Sequence, residues 1–286
     1  MLKTTTHGPL TRIQLEPTIL GRPVYQVSAF LLGDTLIDSG CPKTAPELLE
    51  WSRFHGVRRI VHTHHHEDHV GGDMLLAREL GVEIVAPPRT VPILKSYYRI
   101  PLYRKIVWGQ PANVEVRAME EEIVIAGRRF QVIPTPGHAS DHVCLHSPEA
   151  ELLFTGDLYI SPRVLYLRRA EDAWTQLQSL HLAASLRPQL VVCSHAGFVE
   201  NPGPALAHRI KHWEQLAYQA RELRREGLSL RAVTRRLVGR EGWMTWVSGG
   251  DFAKINLVRS LLEPDTATAG GPQCGSVNPG GPDAGV

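Results

Sequence analysis

The sequence predicts an α/β protein that ends in a small helical module. Three observations carry this. Short apolar runs, each followed by a turn or a helical pattern, recur between residues 35 and 195. They fall into two strand groups with helices interleaved. After His195 the pattern becomes helical throughout.

Taken in order, "TLIDSG" (35–40) reads as a buried strand, and "APELLEWSRFHG" (45–56) as a helix stopped by Gly56. "VRRIVHT" (57–63) is the next strand. "VGGDMLLARELG" (70–81) has helical spacing and a C-terminal glycine cap at Gly81. "VEIVAP" (82–87) is strand-like. "EIVIAGRRFQVIPTPG" (122–137) alternates about Ala126-Gly127 and reads as a hairpin. "HVCLHS", "ELLFTGD" and "LVVCSH" complete the strands, with a helix over about 171–186 before the last. Residues 205–226 form a long amphipathic helix with Leu206, Ile210, Trp213, Leu216 and Leu223 on one side, and "SLRAVTRRLVG" and "DFAKINLVRSLLE" add two more. The expected division is a metal-binding domain over 1–204, a helical module over 205–263, and a disordered tail over 264–286, which has six Gly and four Pro in 23 residues.

With 286 residues, 43% hydrophobic and 21% charged, the chain can bury a sizeable core without staples. A formal charge of +2 singles out no partner class. No apolar run approaches the ~20 residues of a membrane span, and the N-terminus lacks a signal-peptide core, so a cytoplasmic protein with no membrane partner is expected. Cys41, Cys144, Cys193 and Cys274 are scattered without a C-x-x-C pair, as free thiols in a reducing compartment would be.

The chemistry gathers in "IVHTHHHEDHVGG" (60–72). In an extended segment side chains two apart face the same way, so His64, His66 and Asp68 can converge while His65 and Glu67 face away. His69 opens the following helix, where Gly71 and Gly72 let the backbone pass close. Asp38, His64, His138, Asp157 and His195 all lie at or just past the C-terminal end of an expected strand, where α/β proteins commonly assemble sites. Imidazole and carboxylate suit Zn, Fe or Mn. His62 is expected within a strand, and His142, four residues after His138, is weighed between a packing residue and one that orients a ligand.

"THHHEDH", "PTPGHASDH", "FTGD" and "CSHAG" resemble, in order, the four metal-binding motifs of the metallo-β-lactamase superfamily, across roughly residues 20–200. The resemblance implies an αββα four-layer sandwich of two mixed sheets with helices outside. It implies that His64, His66 and His138 hold one metal, that Asp68, His69 and His195 hold a second, and that Asp157 bridges them. Two divalent ions are implied, zinc first and Fe or Mn as alternatives, with Asp38 in a supporting position. The implied chemistry is metal-assisted hydrolysis, in which an activated hydroxide attacks a carbonyl or phosphoryl centre and Asp68 orients it.

Departures narrow the branch. Asp157 stands where certain lactamases carry cysteine, and His66 where the oxygen-reducing branch uses Glu. Glyoxalase II-type thioesterases and persulfide dioxygenases follow "GD" with a Gly-Cys-Gly-Arg-like or Gly-Arg stretch, whereas here it is "LYISPRVLYLRR". Lactonases place a catalytic Tyr three residues past the bridging Asp; Tyr159 sits two past and is the catalytic candidate beside Asp68. The basic, aromatic insert 88–111, with Tyr97, Tyr98 and Trp108 as candidate substrate contacts, reads equally as a lid or as a packing helix. "GWMTWVSGGDF" (242–252) is expected to fold back toward the site rim.

Residues 206–263 hold eleven Lys/Arg against six Asp/Glu. They fit a helical cap or homodimer surface better than a nucleic-acid surface. The reading is therefore a hydrolase of a small-molecule ester, thioester or lactone. A phosphodiesterase acting on single-stranded nucleic acid is the alternative; persulfide dioxygenase and β-lactamase activities are less favoured.

Overall fold

In the computed structural model, which describes residues 2–263, the apolar runs pair into two mixed sheets. The tail expected over 264–286 lies outside the described residues. The first sheet runs in the order Leu2–His7, Leu10–Leu15, Val27–Leu32, Thr35–Ile37, Arg59–Val61, Glu83–Ala86, Arg117–Ala118. Its first four strands are an antiparallel meander, and its later ones pair in parallel. Parallel pairing needs crossovers, and the helices Ala45–Phe54 and Asp73–Leu80 supply two of them. The second sheet runs Glu122–Ile125, Arg128–Pro134, Val143–Ser147, Leu152–Gly156, Leu190–Cys193, Gly197–Glu200. Its one parallel pair, Leu152–Gly156 with Leu190–Cys193, is joined through the helix Ala173–Ser185.

Most predicted elements appear with shorter ends, whereas the long helix expected over 205–226 begins two residues earlier, as Gly203–Arg225. The helix expected over 70–81 is Asp73–Leu80, capped by Gly81 in the left-handed conformation at φ 65°. The predicted hairpin turns at Ala126 (φ 48°) and Gly127 (φ 75°), two successive left-handed residues of the kind a tight two-residue hairpin requires. The helix over 171–186 is Ala173–Ser185, where the Asp172 carboxylate accepts from the Thr175 N–H at 2.6 Å.

Three apolar clusters among the described residues define the layers. Phe30, Ile37 and Val61 of the first sheet meet Phe130, Phe154 and Val192 of the second to form the layer between the sheets. Each such side chain contributes roughly 1.5–3 kcal/mol by leaving water. Leu48 and Leu76 of the crossover helices cover the outer face of the first sheet against Ile60 and Ile84. On the outer face of the second, Leu177 and Leu180 share one cluster with Trp213 of the helix Gly203–Arg225, Val233 of Leu230–Leu237, and Leu257 of Lys254–Leu262. The result is helix, sheet, sheet, helix.

Parallel registers place the site. Ile37 is level with Val61, so Asp38 emerges beside the histidine loop, and Gly156 is level with Cys193, so Asp157 emerges beside His195. The Val143 N–H donates to Thr63 O at 2.9 Å, joining the loops of the two sheets. Among the described residues no helix is long and apolar enough to cross a membrane.

Candidate metal centre and cavity

The loop after Val61 is held by close backbone approach. A Cβ at Gly71 would stand 2.2 Å from Pro42 Cδ, and one at Gly72 2.6 Å from Ser39 O, so neither position accepts a side chain. The loop carries His64 and His66 to within ligand distance of His138 from the second sheet. His64 Nε2 lies 3.0 Å and His138 Nε2 2.9 Å from His66 Nδ1. Asp68, His69, Asp157 and His195 form the second group, and within each group the donor atoms lie within 4.8 Å of one another. Asp157 stands between the groups: Oδ2 is 3.4 Å from His138 Nε2 and 3.4 Å from His195 Nε2, while Oδ1 is 3.3 Å from His69 Nε2.

The far side of the rings shows what the near side is for. Asp38 Oδ2 accepts from His69 Nδ1 at 2.7 Å and from Thr63 Oγ1 at 2.9 Å. With the Thr63 hydrogen so placed, Thr63 Oγ1 accepts from His64 Nδ1 at 3.0 Å. His195 Nδ1 donates to Gln26 O at 2.8 Å, and His138 Nδ1 faces Glu171 Oε1 at 3.4 Å. Each of these four rings is protonated outward and turns the lone pair of Nε2 inward. Such outer partners fix the tautomer of a metal-binding histidine. Lone pairs facing lone pairs cannot hydrogen-bond to one another, and the buried Asp68 Oδ1, His69 Nε2 and Asp157 Oδ1 have no hydrogen-bond partner. A donor set of imidazole and carboxylate with orphaned inward atoms fits divalent cations. Arg168 Nη1 lies 3.1 Å from His66 Nδ1, a cation drawn to the same electron-rich point.

Electrostatics agree. Burial pushes His64, His66 and His138 well below the ordinary histidine pKa, keeping them neutral as ligands must be. Burial works to raise Asp157 and to lower His69 and His195, but the neighbouring carboxylates, Asp157 foremost, outweigh it and raise both imidazoles, which in turn hold the Asp157 carboxyl well below its usual range; this second group draws in positive charge.

The remaining residues of the histidine run have structural partners. His65 Nδ1 faces Asp141 Oδ1 at 2.8 Å, and its carbonyl accepts from Tyr98 Oη at 2.9 Å. Glu67, fully buried, takes a two-pronged contact from Arg104 Nε and Nη2. His62 stands just past the strand Arg59–Val61, with Nε2 2.8 Å from Asp73 Oδ2 and Nδ1 3.4 Å from Asp38 Oδ1. Burial disfavours its charge, yet the two carboxylates raise its pKa to about 9. His142 Nε2 accepts from the Asp157 N–H at 3.2 Å and Nδ1 donates to Thr135 Oγ1 at 2.9 Å, so it positions the Asp157 backbone. Burial lowers its pKa to about 4, in keeping with an acceptor nitrogen.

Asp68, His138, Asp157 and His195 line part of a cavity of about 490 Å³ whose walls are largely apolar, including Val107, Trp108, Leu158, Val164, Met244 and Phe252. Met244 and Phe252 belong to the segment expected to fold back, and Tyr103 Oη donates to Asp251 Oδ2 at 2.7 Å, tying the insert to it. The insert packs as the short helices Val91–Lys95 and Leu102–Val107.

A profile described as the Metallo-beta-lactamase superfamily matches residues 22–195. The chain belongs to this superfamily. Curated relatives include proteins named hydroxyacylglutathione hydrolase from Rhizobium etli, 31% identical over 49% of this chain and 49% of the relative, and from Stenotrophomonas maltophilia, 33% identical over 51% and 50%. The chain thus spans about half the length of the curated relatives it matches. Solved structures share the fold. A β-lactamase domain protein from Burkholderia ambifaria superposes with TM-score 0.68 at 19% identity over 90% of this chain and 85% of that one. A metallo-β-lactamase family protein from Thermus thermophilus superposes with TM-score 0.63 at 18% identity over 89% and 91%.

Within this superfamily fold three expected side chains are not brought to the cavity. Tyr159 is 3% exposed and packs in the outer cluster of the second sheet; its neighbours Leu158 and Ile160 line the cavity instead, so the local alternation turns Tyr159 away. Tyr97 is exposed at 58% and Tyr98 is spent on the His65 carbonyl, leaving Trp108 as the expected aromatic that reaches the wall. Tyr103, an aromatic of the insert, also reaches the wall; sequence reasoning missed Arg168, Glu171 and Arg209 as wall residues, and Asp73 and Asp141 as anchors. Asp141 alone carried a signal, as the acid one residue before His142.

Proposed function

We propose that the protein is a metal-dependent hydrolase of a small-molecule ester, thioester or lactone, and that it holds two divalent ions, zinc in the first instance. The observation that carries this is the placement of four metal-donor side chains in the wall of a bounded, largely apolar cavity of about 490 Å³, a size suited to a small organic molecule. The relatives named hydroxyacylglutathione hydrolase support a thioester as one of the three bonds to test first.

His64, His66 and His138 would hold one ion and Asp68, His69 and His195 the other, with Asp157 between them. When bound, such ions lower the pKa of water toward ~7 and polarise a carbonyl oxygen. The chain's own residues do the rest. Asp38, Thr63, Glu171 and the Gln26 carbonyl keep the imidazoles turned and in the right tautomer. The partnerless Asp68 Oδ1 offers an acceptor that orients the attacking water. Trp108, Leu158 and Phe252 exclude bulk water and seat the acyl part of the substrate.

The test combines metal analysis with a panel of ester, thioester, lactone and phosphodiester substrates, run on the protein and on a His64→Ala/His66→Ala variant. About two ions per chain, turnover of one of the first three bond types, and loss of both in the variant are expected. Phosphodiester turnover with a salt-dependent affinity for short RNA would overturn the small-molecule reading. Unchanged metal content and activity in the variant would remove the site altogether.

A further inference from the structure

Arg209 is the anomaly of the cavity wall. It lies on the long helix Gly203–Arg225, is 1% exposed, and lines the cavity that also holds the metal donors. Its Nε and Nη1 have no hydrogen-bond partner, and its guanidinium carbon stands 3.5 Å over the ring of Trp213. A buried guanidinium left unpaired is costly, and stacking on an indole repays only part of that. Burial outweighs the nearby Glu171 and Tyr159 and pushes its pKa down to about 9, in keeping with a guanidinium whose Nε and Nη1 meet no acceptor. The other arginines of the wall are accounted for. Arg104 is committed to Glu67, Arg168 faces Glu171 and His66, and Arg163 stands in the exposed part of the loop.

We propose that Arg209 is the anion-recognition residue of the cavity, and that the substrate is an acyl compound bearing a carboxylate remote from the bond that is cleaved. This rests on the hydrolase reading above and adds the substrate class. One unpaired cation matches one monoanionic group, and a planar guanidinium held flat by Trp213 is already set for a planar carboxylate. The apolar residues that line the same cavity as the metal donors and Arg209 suit a carbon chain. Trp213 Nε1 donates to Val164 O at 2.9 Å, so the indole that carries Arg209 also fixes a wall residue.

The experiment is calorimetric and independent of turnover. Zinc-loaded protein is titrated with α,ω-dicarboxylates from succinate to suberate, each against the monocarboxylate of equal length. One carboxylate of each ligand is free for the zinc; only the dicarboxylate has a second for Arg209. The best dicarboxylate should bind at least about tenfold tighter than its partner, the scale of one charge-assisted hydrogen bond. Arg209→Met should bring that ratio close to one, and Arg209→Lys should keep part of it. The melting temperature of the Met variant should hold or rise, because a buried unpaired charge is replaced by an apolar chain of similar volume. A ratio near one in the wild type, a ratio that survives in Arg209→Met, or a clear fall in melting temperature would overturn the proposal. A phosphate-terminated chain binding tenfold better than the dicarboxylate would overturn the carboxylate assignment. Should the dicarboxylate preference appear while no ester, thioester or lactone is turned over, Arg209 stands and the hydrolase reading falls; the reverse pattern separates them the other way.

Discussion

Replacing Asp38 by Asn tests whether the outer partners of the metal donors matter as the geometry says. Asp38 sits at φ 59°, a left-handed position that Asn tolerates, so the backbone need not change. The carboxylate accepts at Oδ2 from His69 Nδ1 (2.7 Å) and Thr63 Oγ1 (2.9 Å), and at Oδ1 from the Thr63 N–H (2.9 Å) and His62 Nδ1 (3.4 Å). An amide has one acceptor oxygen. If it stays with the Thr63 N–H, the new NH₂ faces His69 Nδ1 and donates to it, which moves the ring proton to Nε2, the atom turned toward the cation. If it flips, the NH₂ faces the Thr63 N–H, donor against donor. Either way His69 or the loop loses its set geometry, and the loss of such an outer partner typically costs 10–100-fold in metal affinity, roughly 1.4–2.8 kcal/mol. The assay is chelator competition on metal-loaded protein with metal analysis of what remains. On the proposed assignment, an ion at Asp68, His69 and His195 should be released first, while one at His64, His66 and His138 is held more nearly as before. Affinities within twofold of wild type at both positions would refute the tautomer argument.

Arg104→Met strips the fully buried Glu67 of its partner and should destabilise the fold by roughly 3–5 kcal/mol in urea unfolding, whereas the double replacement Glu67→Leu/Arg104→Met should recover most of it. Gly156→Ala places a Cβ 2.8 Å from His142 Nε2 and 2.9 Å from Thr63 Oγ1 at a φ of 47°, so metal content and activity should fall together, with melting shifted down as a check. Removing the metals with a chelator should lower the melting temperature by roughly 10 °C, the linkage expected for ions present at ~1,000 times their Kd in a domain this large. A chain truncated to 1–204 loses seven large buried side chains, Leu206, Ile210, Trp213, Leu216, Leu223, Leu257 and Leu261. At roughly 1.5–3 kcal/mol each they total about 10–21 kcal/mol, as much as or more than the 5–15 kcal/mol that holds a typical domain together, so the fragment should be insoluble or fail to melt cooperatively.

What could be read from the sequence follows from how local each signal is. Asp38, His64, His66, Asp157 and His195 follow short buried strands, so motif and element announce each other, whereas His138 follows the largely unburied strand Arg128–Pro134 and is announced by its motif. The first strands of the meander are different. Leu10–Leu15, "LTRIQL", buries only Leu10, Ile13 and Leu15, and Leu2–His7 lies at the sheet edge with none of its residues fully buried. Neither shows a run that periodicity could detect. His62 was expected simply within a strand, because nothing adjacent in sequence shows that Asp38 and Asp73 approach it from two other elements. Tyr159 was expected at the site by its offset from Asp157, but one residue along an extended segment is half a period, and it turned the ring into the core.

The same limit applies to the C-terminal helices, whose apolar stripe was legible and whose destination was not. Their periodicity says only that one face is buried. In the structure that face closes on Leu177 and Leu180 of the helix behind the second sheet, and its polar outliers reach the cavity wall. Trp213 Nε1 holds Val164 O, Asn256 Nδ2 donates to Leu167 O at 3.1 Å, and the strand pair Leu167–Arg168 with Phe252–Ala253 sets Arg168 beside His66. The metal donors come from loops that the two sheets fix, whereas the wall that would choose a substrate is braced from outside by helices with no motif of their own. Chemistry and selectivity are thus written in different parts of the chain. That is why the metal donors are legible in short motifs, while Arg209, an arginine on an otherwise ordinary amphipathic helix, stands out only through its burial, its unpartnered guanidinium nitrogens and its place in the cavity wall.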